Sequence, residues 1–499
     1  MNFTLKRPVY LIISSLVVSG AVQGPLFAEP IYHPSGPKLT FGGMTHRQMT
    51  VSDMGNPAHP ASIPYAEGDS GLYGVGLSIG LGIEYDANDN LFKLLDQAGS
   101  DDALGDGDSS DDNNGQAGDN IFDLIGVGKE NLTDEQTAQL EALVEEIAVK
   151  AVSLVTVVAA AATNLNAKAF VSADVPILIS HDSIGAWTFA ANTSITTNIR
   201  GLNDPINFDS LDSDNAVNIL KDIANLDPNA PAETYELGES ASLTVDPANG
   251  NTTFVFENNS GTVTRAAQIT EVSLGYSHKV WQKKNNKVYV GVKPKYLDVG
   301  LSNSFVFISD IDDAEDIFEA LDKSNFKYSQ DFSMDLGAIW SGKQYQVGAT
   351  LTNINEPKFH FPEVDTSGIS NPDIEQAILD RQTYVMERQL KLDAGYITQG
   401  GAWGINFGYD VNAVPDPMLD DYQWVSVGAG FASNNWWLPG ARLGARKNMV
   451  GSKLTYITAG ITVFNIVNLD VATTTDTITV DGSTVPRGLI LNIGAQVLF

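Results

Sequence analysis

The sequence predicts an all-β fold: an antiparallel transmembrane β-barrel of roughly 12 to 16 strands, with an N-terminal periplasmic or plug segment and short helical insertions. Three observations lead there. Many segments alternate apolar with small or polar residues at a period of two. The chain opens like an exported protein. No internal stretch makes a comfortable membrane helix, so a membrane-resident form of this chain is a closed barrel, the other structure that satisfies every backbone group in lipid.

Residues 1–28 read as a signal peptide. Lys6 and Arg7 form a positive start, residues 9–22 are mostly apolar, and Ala28 ends a cleavage site in which Leu26 is larger than usual. The apolar run falls short of the ~20 residues that an uncleaved anchor needs. Residues 29–70 are rich in Pro and Gly and hold no clear strand, which suits a periplasmic or luminal plug segment. Within it Asn56, Pro57 and Ala58 form a possible plug or turn element. The Asn side chain can bond local backbone while Pro fixes the turn, and a plain turn is the competing reading.

The barrel proper is expected over 71–499. In residues 71–85, Tyr73, Val75, Leu77, Ile79, Leu81, Ile83 and Tyr85 share one face, and Gly, Ser and Glu fill the other. Aromatics at both ends with aliphatics between fit a strand running between two aromatic girdles. Residues 86–167 break this rhythm as an acidic loop and helix insertion. Residues 101–119 carry seven aspartates and no Lys or Arg, which predicts a solvated loop with at most weak divalent-cation binding. Thr133 and Gln136 then form a capping box, and 147–162 reads as a helix on the soluble side. Alternation returns around Trp187, Tyr276, Trp340, Trp403 and Val425, then at 455–463 and 489–499. Further loops are expected at 202–248, 310–322 and 357–380, with short helices at 216–223, 310–322 and 372–379. The girdle candidates are Tyr73, Tyr85, Trp187, Trp340, Trp403, Trp424 and Phe499.

Composition narrows function. The net charge of −32 becomes −34 without Lys6 and Arg7, and it repels nucleic-acid phosphates. The absence of cysteine excludes disulfides and thiol chemistry. Residues 76–80 match G-x-S-x-G, but that motif needs a strand-to-helix turn and Ser78 lies mid-strand. The six histidines are scattered. No catalytic residue, cofactor or metal site is assigned, and the chain is read as a non-enzyme.

Several stretches carry a family resemblance. They are residues 72–85 followed by Asn90-Leu91-Phe92, the Gly-x-x-Pro-Lys-Tyr strand at 290–297, the hairpin at 333–338 and 347–354, and the pair at 438–447 and 458–461. Together these resemble the TraF-like outer-membrane barrels of plasmid conjugal transfer, which are themselves similar in style to fatty acid transporter barrels. In the latter, an Asn-Pro-Ala element follows a glycine-rich N-terminal segment and folds into the lumen, as Asn56-Pro57-Ala58 would after Gly42-Gly43. The terminal Phe499, in phase with an apolar face, resembles the assembly signal read by the barrel-assembly machinery. The resemblance implies residence in the outer membrane and contact with its lipid. It also implies partners among conjugation or envelope-assembly components. A transport barrel for hydrophobic or small solutes is the alternative. A lumen packed shut with polar side chains would favour the first, and a continuous apolar pocket touching residues 40–65 the second.

Overall fold

The computed structural model describes residues 36–42, 55–63, 71–85, 166–204, 227, 230–236, 241–246, 251–256, 259–307, 325–379, 382–433, 435–480 and 483–499. The signal peptide, the acidic tract, and the helices expected at 133–162, 216–223 and 310–322 lie outside the described residues. Fourteen strands close into one antiparallel barrel. They are β1 Gly71–Tyr85, β2 Asn166–His181, β3 Gly185–Leu202, β4 Gly261–Lys283, β5 Asn286–Phe307, β6 Lys327–Ser341 and β7 Tyr345–Thr352. The ring continues with β8 Gln389–Ile397, β9 Trp403–Asp410, β10 Trp424–Phe431, β11 Gly440–Asn448, β12 Thr455–Val463, β13 Val467–Thr474 and β14 Gly488–Leu498. Every strand pairs with its sequence neighbours, and β1 closes the ring on β14 with Leu77 opposite Ala495 and Ile83 opposite Leu489. Among the described residues, three short helices accompany the barrel: α1 Lys38–Phe41, α2 His59–Ser62 and α3 Pro372–Leu379.

The period-two pattern decides which face meets lipid. Along β1 the odd positions from Tyr73 to Leu81 are exposed, while Gly74, Gly76, Ser78, Gly80 and Gly82 are buried. Closure turns the small residues inward and leaves no free edge, so every ladder hydrogen bond is made within the ring.

The two ends differ. Connections of a few residues join β2 to β3, β4 to β5, β6 to β7, β8 to β9, β10 to β11 and β12 to β13 at one end. At the other end the strands are joined through residues 86–165, 203–260, 308–326, 353–388, 411–423 and 475–487, and β11 to β12 through the shorter 449–454. Bacterial barrels place short turns in the periplasm and long loops outside.

The strands also report where the bilayer stops. On β5, Val290, Val292 and Tyr296 point outward while Lys293 and Lys295 point inward. Beyond Tyr296 the phase reverses: Leu297, Val299 and Leu301 point inward and are fully buried, and Asp298 and Gly300 point out. The same switch occurs on β4, where Leu274 is exposed but Ala267 and Ile269 are buried. An outer face that turns polar has left lipid, and the inner face there turns apolar because a loop covers it. That cover is the hairpin of Lys358–His360 and Thr383–Val385, whose Phe359 and Tyr384 join Leu297, Val299, Leu301, Met386 and Met418 in one buried cluster. The 23 and 22 residues of β4 and β5 therefore exceed the span of about 9 to 11 expected from sequence, because they run on into the loop layer.

Outward aromatics bracket the apolar band. Phe332 stacks edge-on with Tyr296 at one level, and Trp340 with Tyr345 at the other. Eight residues of β6 separate these levels, about 26 Å along the strand. Trp187, Trp403 and Tyr73 are exposed on the same outer face, Phe499 is exposed at the end of β14, and Tyr85 is half-exposed at the end of β1. Trp424 is a correction. It is only 7% exposed and faces the lumen. Its parity explains this, because Val425 and Val427 occupy the outward positions of β10. The strand β2 also begins at Asn166, two residues inside the expected insertion.

Candidate functional site

The lumen holds the chemistry, and the N-terminal segment is its first component. The turn at 55–63 rests on the inner wall of β2 to β7. Asn56 is 5% exposed; its Nδ2 donates to the carbonyls of Ala338 and Ala349 at 3.5 and 3.3 Å, and its Oδ1 accepts from the Ala58 amide at 2.9 Å. Ala58 and His59 are fully buried, and the Ala61 amide donates to Ser277 Oγ at 3.1 Å. The wall is built to receive this turn. A Cβ on Gly291 would strike the Pro57 carbonyl and come within 2.6 Å of the Ala58 nitrogen, and a Cβ on Gly337 would strike the Asn56 side chain. Opposite, α1 lies against β10 to β13, with Asn406 Nδ2 donating to the Phe41 carbonyl at 2.9 Å. The triplet Asn56, Pro57 and Ala58 is thus brought inside the ring.

Charged side chains occupy inward positions beside this segment. Lys295 Nζ lies 2.8 Å from Asp335 and donates to Asn353 Oδ1 at 2.6 Å, while Lys293 lies 3.3 Å from Asp335 and 3.8 Å from Glu271. Lys295 and Asp335 are almost fully buried, so their stability depends on complete mutual pairing. Near the short-turn end, Arg442 grips Asp470 through Nε and Nη2 at 3.2 and 2.9 Å, and its Nη1 donates to Thr462 at 2.5 Å.

Towards the long-connection end, residues 411–423 fold back onto the inner wall. Lys168 reaches Asp416 at 2.5 Å, Asp420 at 2.7 Å and the Tyr422 hydroxyl at 3.0 Å. Tyr422 and Tyr456 both donate to Glu84, and Arg200 reaches Asp420 at 2.8 Å. The Trp424 ring lies beneath the Arg446 guanidinium at 3.8 Å, a cation–π contact that explains why this tryptophan faces inward. Burial pushes the Asp416 carboxyl up to about 6 against the attraction of Lys168, and the neighbouring Asp420 charge adds to the rise. Burial also acts to raise Asp420, but Lys168 and Arg200 outweigh it and hold that carboxyl below its ordinary range.

Two cavities flank the plug. A chamber of about 210 Å³ lies between α1, Asn56 and the wall, lined by charges that include Lys293, Lys295, Lys391, Glu271, Asp335 and Asp410. A wider mouth of about 1400 Å³ opens at the short-turn end over Ser62 and Ile63.

Ser78 remains mid-ladder, opposite Asp174 and Gly494, so the G-x-S-x-G match forms no nucleophile elbow. The inward ion clusters were missed by sequence reading. Their signal was present: Lys168, Lys293, Lys295, Asp335, Arg442 and Asp470 all sit on the polar phase of alternating strands, where a charge faces the lumen and needs a partner.

Comparison with known proteins gives one family match. The family model described as the F plasmid transfer operon TraF protein matches residues 53–410. No curated protein matches the chain. Among solved structures, the chain is similar to a TodX deltaS2S3 mutant monoaromatic hydrocarbon channel, with 9% identity, coverage of 94% of this chain and 98% of that one, and a TM-score of 0.38. A Pseudomonas aeruginosa FadL homologue gives 9% identity, coverage of 95% and 99%, and 0.38. The P. putida toluene transporter TodX gives 11% identity, coverage of 94% and 97%, and 0.27. Superpositions this loose carry no argument about function.

Proposed function

The chain belongs to the family of the F plasmid transfer operon TraF protein, and on that premise we propose that it is a plugged, non-catalytic outer-membrane barrel that serves conjugal transfer or envelope assembly through its two ends. One observation carries this reading. At mid-height the lumen is filled by the N-terminal segment, hydrogen-bonded to wall carbonyls through Asn56, and by buried ion pairs around Lys295 and Asp335. A route for apolar solutes needs apolar walls, and charged side chains such as Lys293, Lys295 and Asp335 stand among the residues that line the chamber beside Asn56.

The transport reading has its own support in the 1400 Å³ mouth and the smaller chamber above it, which together suit a small polar solute. Two measurements separate the readings. Deleting the coding sequence from a donor strain should lower plasmid transfer frequency, and purified protein in planar bilayers should remain electrically closed. Unchanged transfer together with steady ohmic conductance by the wild-type protein would favour transport and overturn the scaffold reading.

A further inference from the structure

We infer that the short-turn mouth of the barrel is a docking site for an acidic, extended polypeptide segment presented by a partner on that side of the membrane; this rests on the scaffold reading above. The mouth reverses the charge of the molecule. The chain carries 61 acidic and 29 basic residues, yet Lys279, Lys284, Lys287 and Lys343 line this cavity and Asp182 is the single acid among its described lining residues. Asp182 lies 3.6 Å from Lys279. Among the described residues, Lys284, Lys287 and Lys343 have no carboxylate within 4.0 Å, so three ammonium groups stand ready for an outside anion.

Geometry selects the class of occupant. The lysines belong to the concave side. Lys279 pairs across the ladder with the inward, buried Tyr289, and Lys287 with Gln282. The outward residues of the same hairpin are Val280, Trp281 and Val290, which are exposed and apolar. Lipid therefore meets the outside of this hairpin, and the lysines meet whatever enters from water. A volume of about 1400 Å³ exceeds the roughly 300–1000 Å³ of small-molecule pockets. The wall between the lysines carries exposed amides, Gln282 and Gln399, which can donate to and accept from a peptide main chain. Among the described lining residues there is no row of exposed inward aromatics of the kind on which nucleic-acid bases stack, and the overall charge opposes a polyphosphate.

The test uses full-length protein in detergent micelles and fluorescence anisotropy of a labelled peptide of alternating Glu and Ser. Wild-type protein should bind this peptide at low salt, progressively lose it as salt rises, and ignore the Lys-Ser counterpart. The triple substitution Lys284→Gln, Lys287→Gln, Lys343→Gln should weaken binding roughly tenfold, the combined effect of three exposed ion pairs. Asp182→Asn, which releases Lys279, should tighten it. Unaltered heat-modifiability of both variants on gels shows that the barrel is intact. The inference is overturned if the Glu-Ser peptide does not bind or if the triple variant binds it equally. It is also overturned if millimolar inorganic phosphate displaces the peptide completely, or if a single-stranded oligonucleotide binds more tightly. Plasmid transfer by the deletion strain is scored separately: normal transfer with intact peptide binding removes the scaffold reading and leaves the docking site standing.

Discussion

Replacing Gly291 by alanine should loosen the N-terminal segment while leaving the barrel closed. The added Cβ would overlap the Pro57 carbonyl and approach the Ala58 nitrogen to 2.6 Å, and both are backbone atoms that cannot rotate away. Overpacking of this kind costs about 1–3 kcal/mol. Displacing the turn also strains the bonds of Asn56. Two of these are long, at 3.3 and 3.5 Å, and one is 2.9 Å, so together they contribute on the order of 1–2 kcal/mol. Some relaxation of the wall offsets part of this. The expected net is about 1.5–3 kcal/mol, which raises the open fraction of the segment by roughly 10- to 100-fold. The assay is hydrogen–deuterium exchange on peptides covering residues 55–63 in the full-length protein. The amides to follow are those of Ala58, His59 and Ala61, which donate to Asn56 Oδ1, the Asn56 carbonyl and Ser277 Oγ. Gly400→Ala is the control, because nothing lies within 4 Å of its Cβ. Unchanged protection of 55–63 in the Gly291 variant would refute the packing argument.

Other consequences follow from the buried charges. Arg442→Ala leaves Asp470 fully buried without its partner and should cost about 3–5 kcal/mol in urea unfolding from micelles, whereas Arg442→Met with Asp470→Leu should regain most of it; a loss under 1 kcal/mol for the single change would contradict this. Docking of the 411–423 loop should depend on pH. Asp416 has a folded value raised to about 6, above its ordinary value of 3.8, so its contribution is full below that ordinary value and is lost as pH rises through about 6. Asp420 has a lowered folded value, so its contribution is present above the ordinary value and is lost only as pH falls through the depressed one. Exchange of the Asp420 amide, which donates to Asp416 at 2.9 Å, should therefore be most protected near pH 4 to 5 after correction for intrinsic rates, and less protected at pH 7. Rising protection over that interval would show the sign to be wrong.

Much of the barrel was legible because lipid imposes a rule that composition cannot hide. In β1 every residue facing the bilayer is apolar and nearly every residue facing inward is small, so both the strand and its orientation read directly. The limits of the strands were harder. On β4 and β5 the apolar phase reverses at the edge of the bilayer, and a sequence reading that expects one apolar face per strand sees only a weakened pattern. Trp424 was misplaced because its residue type was weighed above its parity. Its neighbours Val425 and Val427 already claimed the lipid side, and its partner Arg446 lies across the ladder from Ser426, on another strand. The ion clusters share this feature: Lys168 meets Asp416 and Asp420 only because a loop some 250 positions away folds into the ring. Alternation fixes which way a side chain points, but it says nothing about which other inward side chain it will meet.

The claim underlying all of this is that lipid-facing and lumen-facing side chains alternate along strands joined in a ring. The chain has no cysteine, so single cysteines bearing a nitroxide label report on one position at a time. Labels at Val75, Leu77, Ile79 and Leu81 should be readily relaxed by oxygen dissolved in the bilayer, and labels at Ser78, Ser172, Ser180 and Thr188 should be shielded from it. Equal oxygen accessibility at both sets, or water-like accessibility at the first, would contradict the account.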